Sequence, residues 1–334
     1  MSDSLTNPEV TAHINGRREM TDSSESGSDR GSVAVIAALV FVPLAMMLAL
    51  VVDAGRTWVE RTALQNGVEA AATATAQRWA QGGAGCSPDD LRLISQNSAS
   101  PDDVTCELNG TSRRGTVQVT AVEDVELFFG GLLGRSTTQI RASTAVAVGV
   151  PTAVKGLWPF ALCVDHPAVG AWLASGMVDP MIAEIRFAAD GVVCGGEVSG
   201  NWTILNFDGG SNSNAVLKEI IVNGYDGWIE VLQDVSGNPG APSRALDLPS
   251  VYGNSIILPL FDNPRLQGSN AVYRIRGFAT ARLINAQLSG PSNQRGFTIQ
   301  FESGVLSGGV GNDPGFDFGT SAWAVCSFDE YGEC

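Results

Sequence analysis

Six cysteines, Cys86, Cys106, Cys163, Cys194, Cys326 and Cys334, are the side chains here best suited to covalent chemistry. No pair has CxxC spacing and the chain holds only two histidines, so the ligand clusters of a zinc site are missing. Disulfides are the natural use of such cysteines in an oxidising compartment. Six cysteines allow 15 pairings; joining sequence neighbours closes short, turn-rich loops and predicts Cys86 with Cys106, Cys163 with Cys194, and Cys326 with Cys334. His166, in Cys163-Val164-Asp165-His166, would need a serine and a carboxylate in space to form a triad, and a structural role beside a disulfide is the simpler expectation. The run Gly308-Gly309-Val310-Gly311-Asn312-Asp313 imitates one repeat of a calcium-binding β-roll. Such rolls bind through stacked repeats, so this copy reads as a flexible glycine-rich loop. Asp102-Asp103 reads as solvated loop charge, and Asp234-Val235-Ser236-Gly237-Asn238, leading into Pro239-Gly240, reads as a turn.

No GxSxG elbow, phosphate-binding loop, HExxH pair or dinucleotide fingerprint occurs in the sequence. The expectation is therefore a protein without catalytic residues, metal, cofactor or small-molecule substrate. Acids outnumber bases 35 to 20, for a formal charge of -15. A phosphate backbone is held by a basic surface, so nucleic acid is not an expected partner. Only 16% of residues are charged while glycine reaches 39, a balance that fits loop-rich, exported β proteins.

All six cysteines follow a long apolar run. Residues 33–52, VAVIAALVFVPLAMMLALVV, carry no charge; at ~1.5 Å per residue they reach across a hydrocarbon core of ~30 Å. This predicts a single transmembrane helix over 31–53, with Pro43 at its middle. The run exceeds the core of a signal peptide and no small-x-small site follows it closely, so an uncleaved anchor is expected. Arginines flank both ends (Arg17, Arg18 and Arg30 before, Arg56 and Arg61 after) and do not orient it. The cysteines do: a cysteine-free tail over 1–30, polar and expected to be disordered, fits the cytoplasm, and the cysteine-bearing remainder fits the outside. Asp53 and Arg56 then read as rim charges that reach water.

Beyond the apolar run the sequence holds no proline until after Gly82 and Gly83 and is rich in alanine, so the helix should continue into water. Trp58, Thr62, Gln65, Ala72, Ala76 and Trp79 fall near one stripe at helical spacing, a surface of small side chains between two tryptophans. It would pack either on the protein's own next domain or on another subunit. Further on, a short helix follows Pro88-Asp89-Asp90, and alternating apolar residues predict strands over 115–122 and 139–150, with an apolar helical turn over 126–133 between them. After residue 153, strands are expected over 185–187, 203–207, 228–232, 255–261, 272–283 and 297–301. A helix is expected over 214–222, capped by Ser213 and closed by Asn223-Gly224. The fold class is α+β: a tail (1–30), a membrane helix (31–53), an extended helix with a pilin-like α+β module (54–152) and a β-rich extracytoplasmic domain (153–334).

Arg30-Gly31-Ser32, the apolar run, Val52-Asp53-Ala54-Gly55-Arg56 and Leu64-Gln65-Asn66-Gly67-Val68-Glu69-Ala70-Ala71 together resemble the N-terminal module of TadE/TadG-like Flp (tight-adherence) pilus-assembly proteins. The likeness continues through Phe128-Phe129-Gly130-Gly131-Leu132-Leu133-Gly134 and Pro159-Phe160-Ala161-Leu162-Cys163. It implies a structural or accessory subunit of a surface pilus, with the membrane and pilin-like subunits as partners. Some members of that family are processed after a glycine that has a glutamate five residues downstream. Gly31-Ser32 is the corresponding position, but the fifth residue after Gly31 is Ile36, so cleavage is not expected. A surface adhesin and an exported hydrolase with a non-standard site are the rival functions.

Overall fold

The computed structural model describes residues 29–97, 101–186, 194, 202–209, 213–238, 249–265, 270–288, 290–291, 294–311, 313 and 316–326. The expectations for residues 1–28, for Pro239-Gly240 and for the Cys326 to Cys334 bridge rest on residues outside these.

One helix dominates the N-terminal part. Helix α1 (Asp29–Ala80) runs for 52 residues and continues through Pro43, about 78 Å of helix at ~1.5 Å per residue. Among the described residues, none in its most apolar stretch is buried, whereas its second half is two-faced. The helix stops at Gly82, which takes φ +84°, with Gly82 N–H donating to Trp79 O and Gly83 N–H to Arg78 O. These two bonds close the last turn and satisfy carbonyls that the helix leaves open. A second helix, α2 (Pro88–Asn97), lies against α1. A β-carbon on Gly67 would sit 2.9 Å from Ile94 Cα, so only glycine lets the two backbones approach this closely.

Three antiparallel strands follow: β1 (Asp103–Thr111), β2 (Arg114–Glu126) and β3 (Thr137–Val154). β2 and β3 extend the two predicted strands. β1 has no counterpart in the sequence reading, although Val104, Cys106 and Leu108 alternate with Asp103, Thr105 and Glu107 and turn the half-buried face of the strand inward. The apolar turn between β2 and β3 is a single 3-10 turn over Gly130–Leu133, not a helix beginning at Glu126. Glu126 instead ends the ladder, opposite Thr137.

From β3 the chain enters a second sheet: β4 (Phe160–Cys163), β5 (Met181–Arg186), β6 (Trp202–Asn206), β8 (Asp234–Asn238), β9 (Ser255–Arg265), β10 (Val272–Gln287) and β11 (Gly296–Glu302). The order is β5-β11-β10-β8-β6-β4-β9, and β9 also pairs with β10. Five of these strands therefore close on themselves as the ring β10-β8-β6-β4-β9. β4 pairs parallel with β9, and the other pairings in this sheet are antiparallel. β4 was not expected from the sequence: Ala161 and Cys163 enter one apolar cluster with Tyr273 and Phe261, while Phe160 and Leu162 enter another with Trp202 and Phe297. Burial on both faces removes the alternation by which a strand is normally recognised. β8 corrects the predicted turn at Asp234–Asn238: buried Val235 and the two flanking strands override local turn preference.

Two short helices cover this sheet. In α3 (Pro167–Ala174) Trp172 is fully buried, stacks 5.8 Å from Phe301 and donates its indole N–H to Phe318 O at 2.9 Å. Burying a large side chain of this kind is worth roughly 1.5–3 kcal/mol. In α4 (Asn214–Asn223) Ser213 Oγ accepts the Val216 N–H and Gly224 N–H returns to Ile220 O, the caps expected for this segment.

The last strands return to the first sheet. β7 (Ile229–Glu230) and β13 (Gly309–Gly311) pair with β3, and β12 (Gly304–Ser307) pairs with β14 (Thr320–Val325), which lies antiparallel to β3. Sheet membership thus crosses position 153. β13 also corrects the flexible-loop reading of 308–313: its glycines lie flat against Val150, Pro151 and Ala153 of β3.

Candidate functional site

The second half of α1 presents Leu64, Val68, Ala71, Ala72, Thr75, Ala76 and Trp79 to the first sheet and α2, all of them buried. Their spacing of three and four residues makes one continuous face. Of the stripe predicted from the sequence, Ala72, Ala76 and Trp79 lie on this face. Gln65 borders it, donating from Nε2 to Thr144 Oγ1 of β3 at 2.9 Å. Trp58 and Thr62 do not belong to it: Trp58 is 69% exposed, and Thr62 turns its hydroxyl back onto Trp58 O. The residues missed by the sequence reading are Leu64, Val68, Ala71 and Thr75. The true face drifts around the helix, and a line drawn between the two tryptophans leaves it.

Arg78 locks the far end of this helix. Its guanidinium bonds Asp90 Oδ2 of α2 at 2.6 and 2.9 Å, and Thr75 Oγ1 adds a third bond to the same oxygen. The same guanidinium donates to Ala84 O and Gly85 O. The Cys86 to Cys106 disulfide then ties this loop to β1.

At the near end, where the apolar segment stops, Asp53 is only 7% exposed. It is not a rim charge reaching water. Its Oδ1 accepts the Phe128 N–H at 2.8 Å and its Oδ2 the Phe129 N–H at 3.1 Å, so one carboxylate binds two successive amides of the β2–β3 turn. Arg56 lies 4.7 Å above the Phe128 ring and pairs loosely with Glu60. The turn is closed by Leu127 N–H to Ser136 O and Arg135 N–H to Gly130 O, with Gly134 at φ +79°, a value that side-chain-bearing residues rarely adopt. Phe128, Phe129 and Leu132 nevertheless face outward, 69%, 40% and 85% exposed. A groove of about 490 Å³ runs between this turn and α1, lined by residues that include Leu50, Trp58, Leu127 and Arg135.

The groups weighed for chemistry are placed elsewhere and in structural roles. Cys163 and Cys194 form a disulfide, as do Cys86 and Cys106. Cys163, Asp165 and Cys194 lie within 4.8 Å of one another, but both sulfurs are consumed by that bridge. His166 is buried and caps α3, its Nδ1 accepting the Ala168 N–H at 3.1 Å. Tyr225 donates to Asp208 Oδ1 at 2.6 Å; that bond, helped by burial and the nearby carboxylates of Asp208 and Asp226, pushes its phenol up to about 12. Gly31 and Ser32 lie within the backbone of α1.

A family model described as Flp pilus-assembly TadE/G-like matches residues 31–78. The match begins just before the apolar segment and ends at Arg78, so it covers α1, including Asp53 and the packed face, and leaves out the two sheets. Comparison with curated proteins and with solved structures gave no match.

Proposed function

We propose that this chain is a non-catalytic accessory subunit of Flp pilus assembly, held in the cell membrane by one uncleaved crossing of α1. Its N-terminal tail would lie in the cytoplasm and its two sheets outside. The observation that carries the reading is the coincidence of the family match with α1: one unbroken helix joins an apolar segment long enough to cross a bilayer to a face packed on the folded domain. Such a helix transmits its position in the membrane rigidly to everything attached to it. The disulfides support the outside placement, since such bridges persist in oxidising compartments.

Deleting the gene in its own host and counting surface pili by electron microscopy tests the role. Loss of pili, restored by the full chain but not by one lacking residues 33–52, is the expected outcome. Normal piliation in the deletion strain, with binding to host surfaces lost, would instead favour an adhesin.

A further inference from the structure

We propose that the β2–β3 turn is a second membrane contact, its Phe128, Phe129 and Leu132 side chains inserted into the headgroup layer of the bilayer that α1 crosses. The proposal rests on the anchor reading of residues 33–52 and adds a depth and an orientation to it.

The direction of β2 relative to α1 is the first argument. Gly115, at the start of β2, lies against the ring of Trp79, since a β-carbon there would come within 2.6 Å of it. Phe128, just past the end of β2, is bonded to Asp53. β2 therefore runs along α1 from its water end towards its apolar segment, and the turn points at the membrane. Depth is the second argument. Asp53 directly follows the uncharged run, and the groove beneath the turn reaches Leu50, which lies inside that run. A turn that shares a groove with Leu50 sits at the level where the hydrocarbon gives way to headgroups.

Chemistry is the third argument. Turn tips are ordinarily polar, and three outward apolar side chains on one tip need a non-aqueous neighbour. Exposed Trp58 on the adjoining turns of α1 is the residue type enriched at this level of a bilayer. Arg61 and Arg135 line the same groove, where guanidinium groups meet lipid phosphates. The Phe128 and Phe129 amides donate to the Asp53 carboxylate and so find an acceptor at a depth where water would serve them poorly. A lipid surface fits all four features; a protein partner would explain the apolar tip but not its registration with the end of the apolar run.

The test uses the full chain in vesicles of phosphatidylcholine and phosphatidylglycerol, with a nitroxide attached to Leu132→Cys, Leu44→Cys or Asn109→Cys and the unsubstituted chain as blank. Collision with dissolved oxygen is compared with collision with a water-soluble nickel chelate. Leu44 reports the anchor, and Asn109, at the opposite end of the β1–β2 hairpin, reports water. Expected is a several-fold lower nickel-to-oxygen collision ratio at Leu132 than at Asn109, approaching that at Leu44. A Leu132 label as nickel-accessible as Asn109, with Leu44 shielded, overturns the inference and leaves the anchor standing. Nickel access at Leu44 itself overturns both.

Discussion

Asp53 and Phe128, 75 residues apart, are joined by a 2.8 Å hydrogen bond from the Phe128 amide to the aspartate carboxylate. The bond fixes the tip of a β-hairpin to the point where an apolar helix becomes a packed one. Asp53 and, further along, Gln65 through Thr144 join the helix to the sheet; at the far end Arg78 holds α1 to α2 and to the loop that the Cys86 to Cys106 bridge ties to β1.

The first prediction concerns that bond. Asp53→Ala leaves the Phe128 and Phe129 amides without their charged acceptor; because both bonds are only part-buried, the loss should be about 1 kcal/mol, at the low end for such groups. Hydrogen exchange at these two amides should quicken in Asp53→Ala and much less in Asp53→Asn, which keeps one acceptor oxygen. Unchanged exchange in Asp53→Ala would show that the carboxylate does not hold the turn.

The second concerns the packed face. Ala72 and Ala76 have no exposed surface, so a leucine at either must displace the sheet, with a penalty of about 1–3 kcal/mol. Denaturant unfolding should move to lower midpoint for Ala72→Leu and Ala76→Leu. Ala74→Leu is the control, because Ala74 is only partly buried and lines an open groove beside Trp323 and Val325. Equal loss in all three variants would contradict the assignment of the face.

How much of this was legible beforehand differs by element, for physical reasons. The continuous helix could be read because composition, length and absence of proline after Pro43 agree, and α4 because its cap, apolar face and closing glycine agree. The pairings Cys86 with Cys106 and Cys163 with Cys194 follow chain proximity, which the fold preserves. β4 and β8 were hidden because strands on both sides hold their residues, and β13 because it pairs with β3 largely through glycine backbone, so local preference at Asp234–Asn238 or Gly309–Gly311 points elsewhere. The return of β14 to β3 is non-local and leaves no periodic signal. At the candidate site, the charge of Asp53 was visible but its partners are backbone amides, which no sequence names. The one available hint was the apolar run Phe128-Phe129-Gly130-Gly131-Leu132-Leu133 where a hairpin turn would ordinarily be polar.

The third prediction concerns the bridges. Cys86 to Cys106 and Cys163 to Cys194 enclose separations of 20 and 31 residues. Replacing either pair by serine should cost about 2–4 kcal/mol by releasing the unfolded chain. Non-reducing peptide mapping should recover both linked peptide pairs; a Cys106 to Cys194 peptide would refute the pairing, and unfolding midpoints measure the cost.

The last prediction is a pH dependence at Tyr225. Its phenol donates to Asp208, and loss of the proton would place a phenolate beside the carboxylates of Asp208 and Asp226, which is why its pKa stands near 12 instead of the ordinary 10. In the unfolded chain the phenol ionises around 10, so between 10 and 12 the folded state keeps a proton that the unfolded state has lost. The bond's contribution to stability is therefore complete below pH 10 and falls away as pH rises towards 12. Tyr225 stacks on Phe207 at 4.4 Å but leaves its hydroxyl near solvent, so the change in stability should be small while the titration itself shifts clearly. Spectrophotometric titration should show a late-ionising phenol in the native chain that moves back towards 10 in Asp208→Asn and disappears in Tyr225→Phe. Superimposable curves for the native chain and Asp208→Asn would mean that Asp208 does not hold the proton.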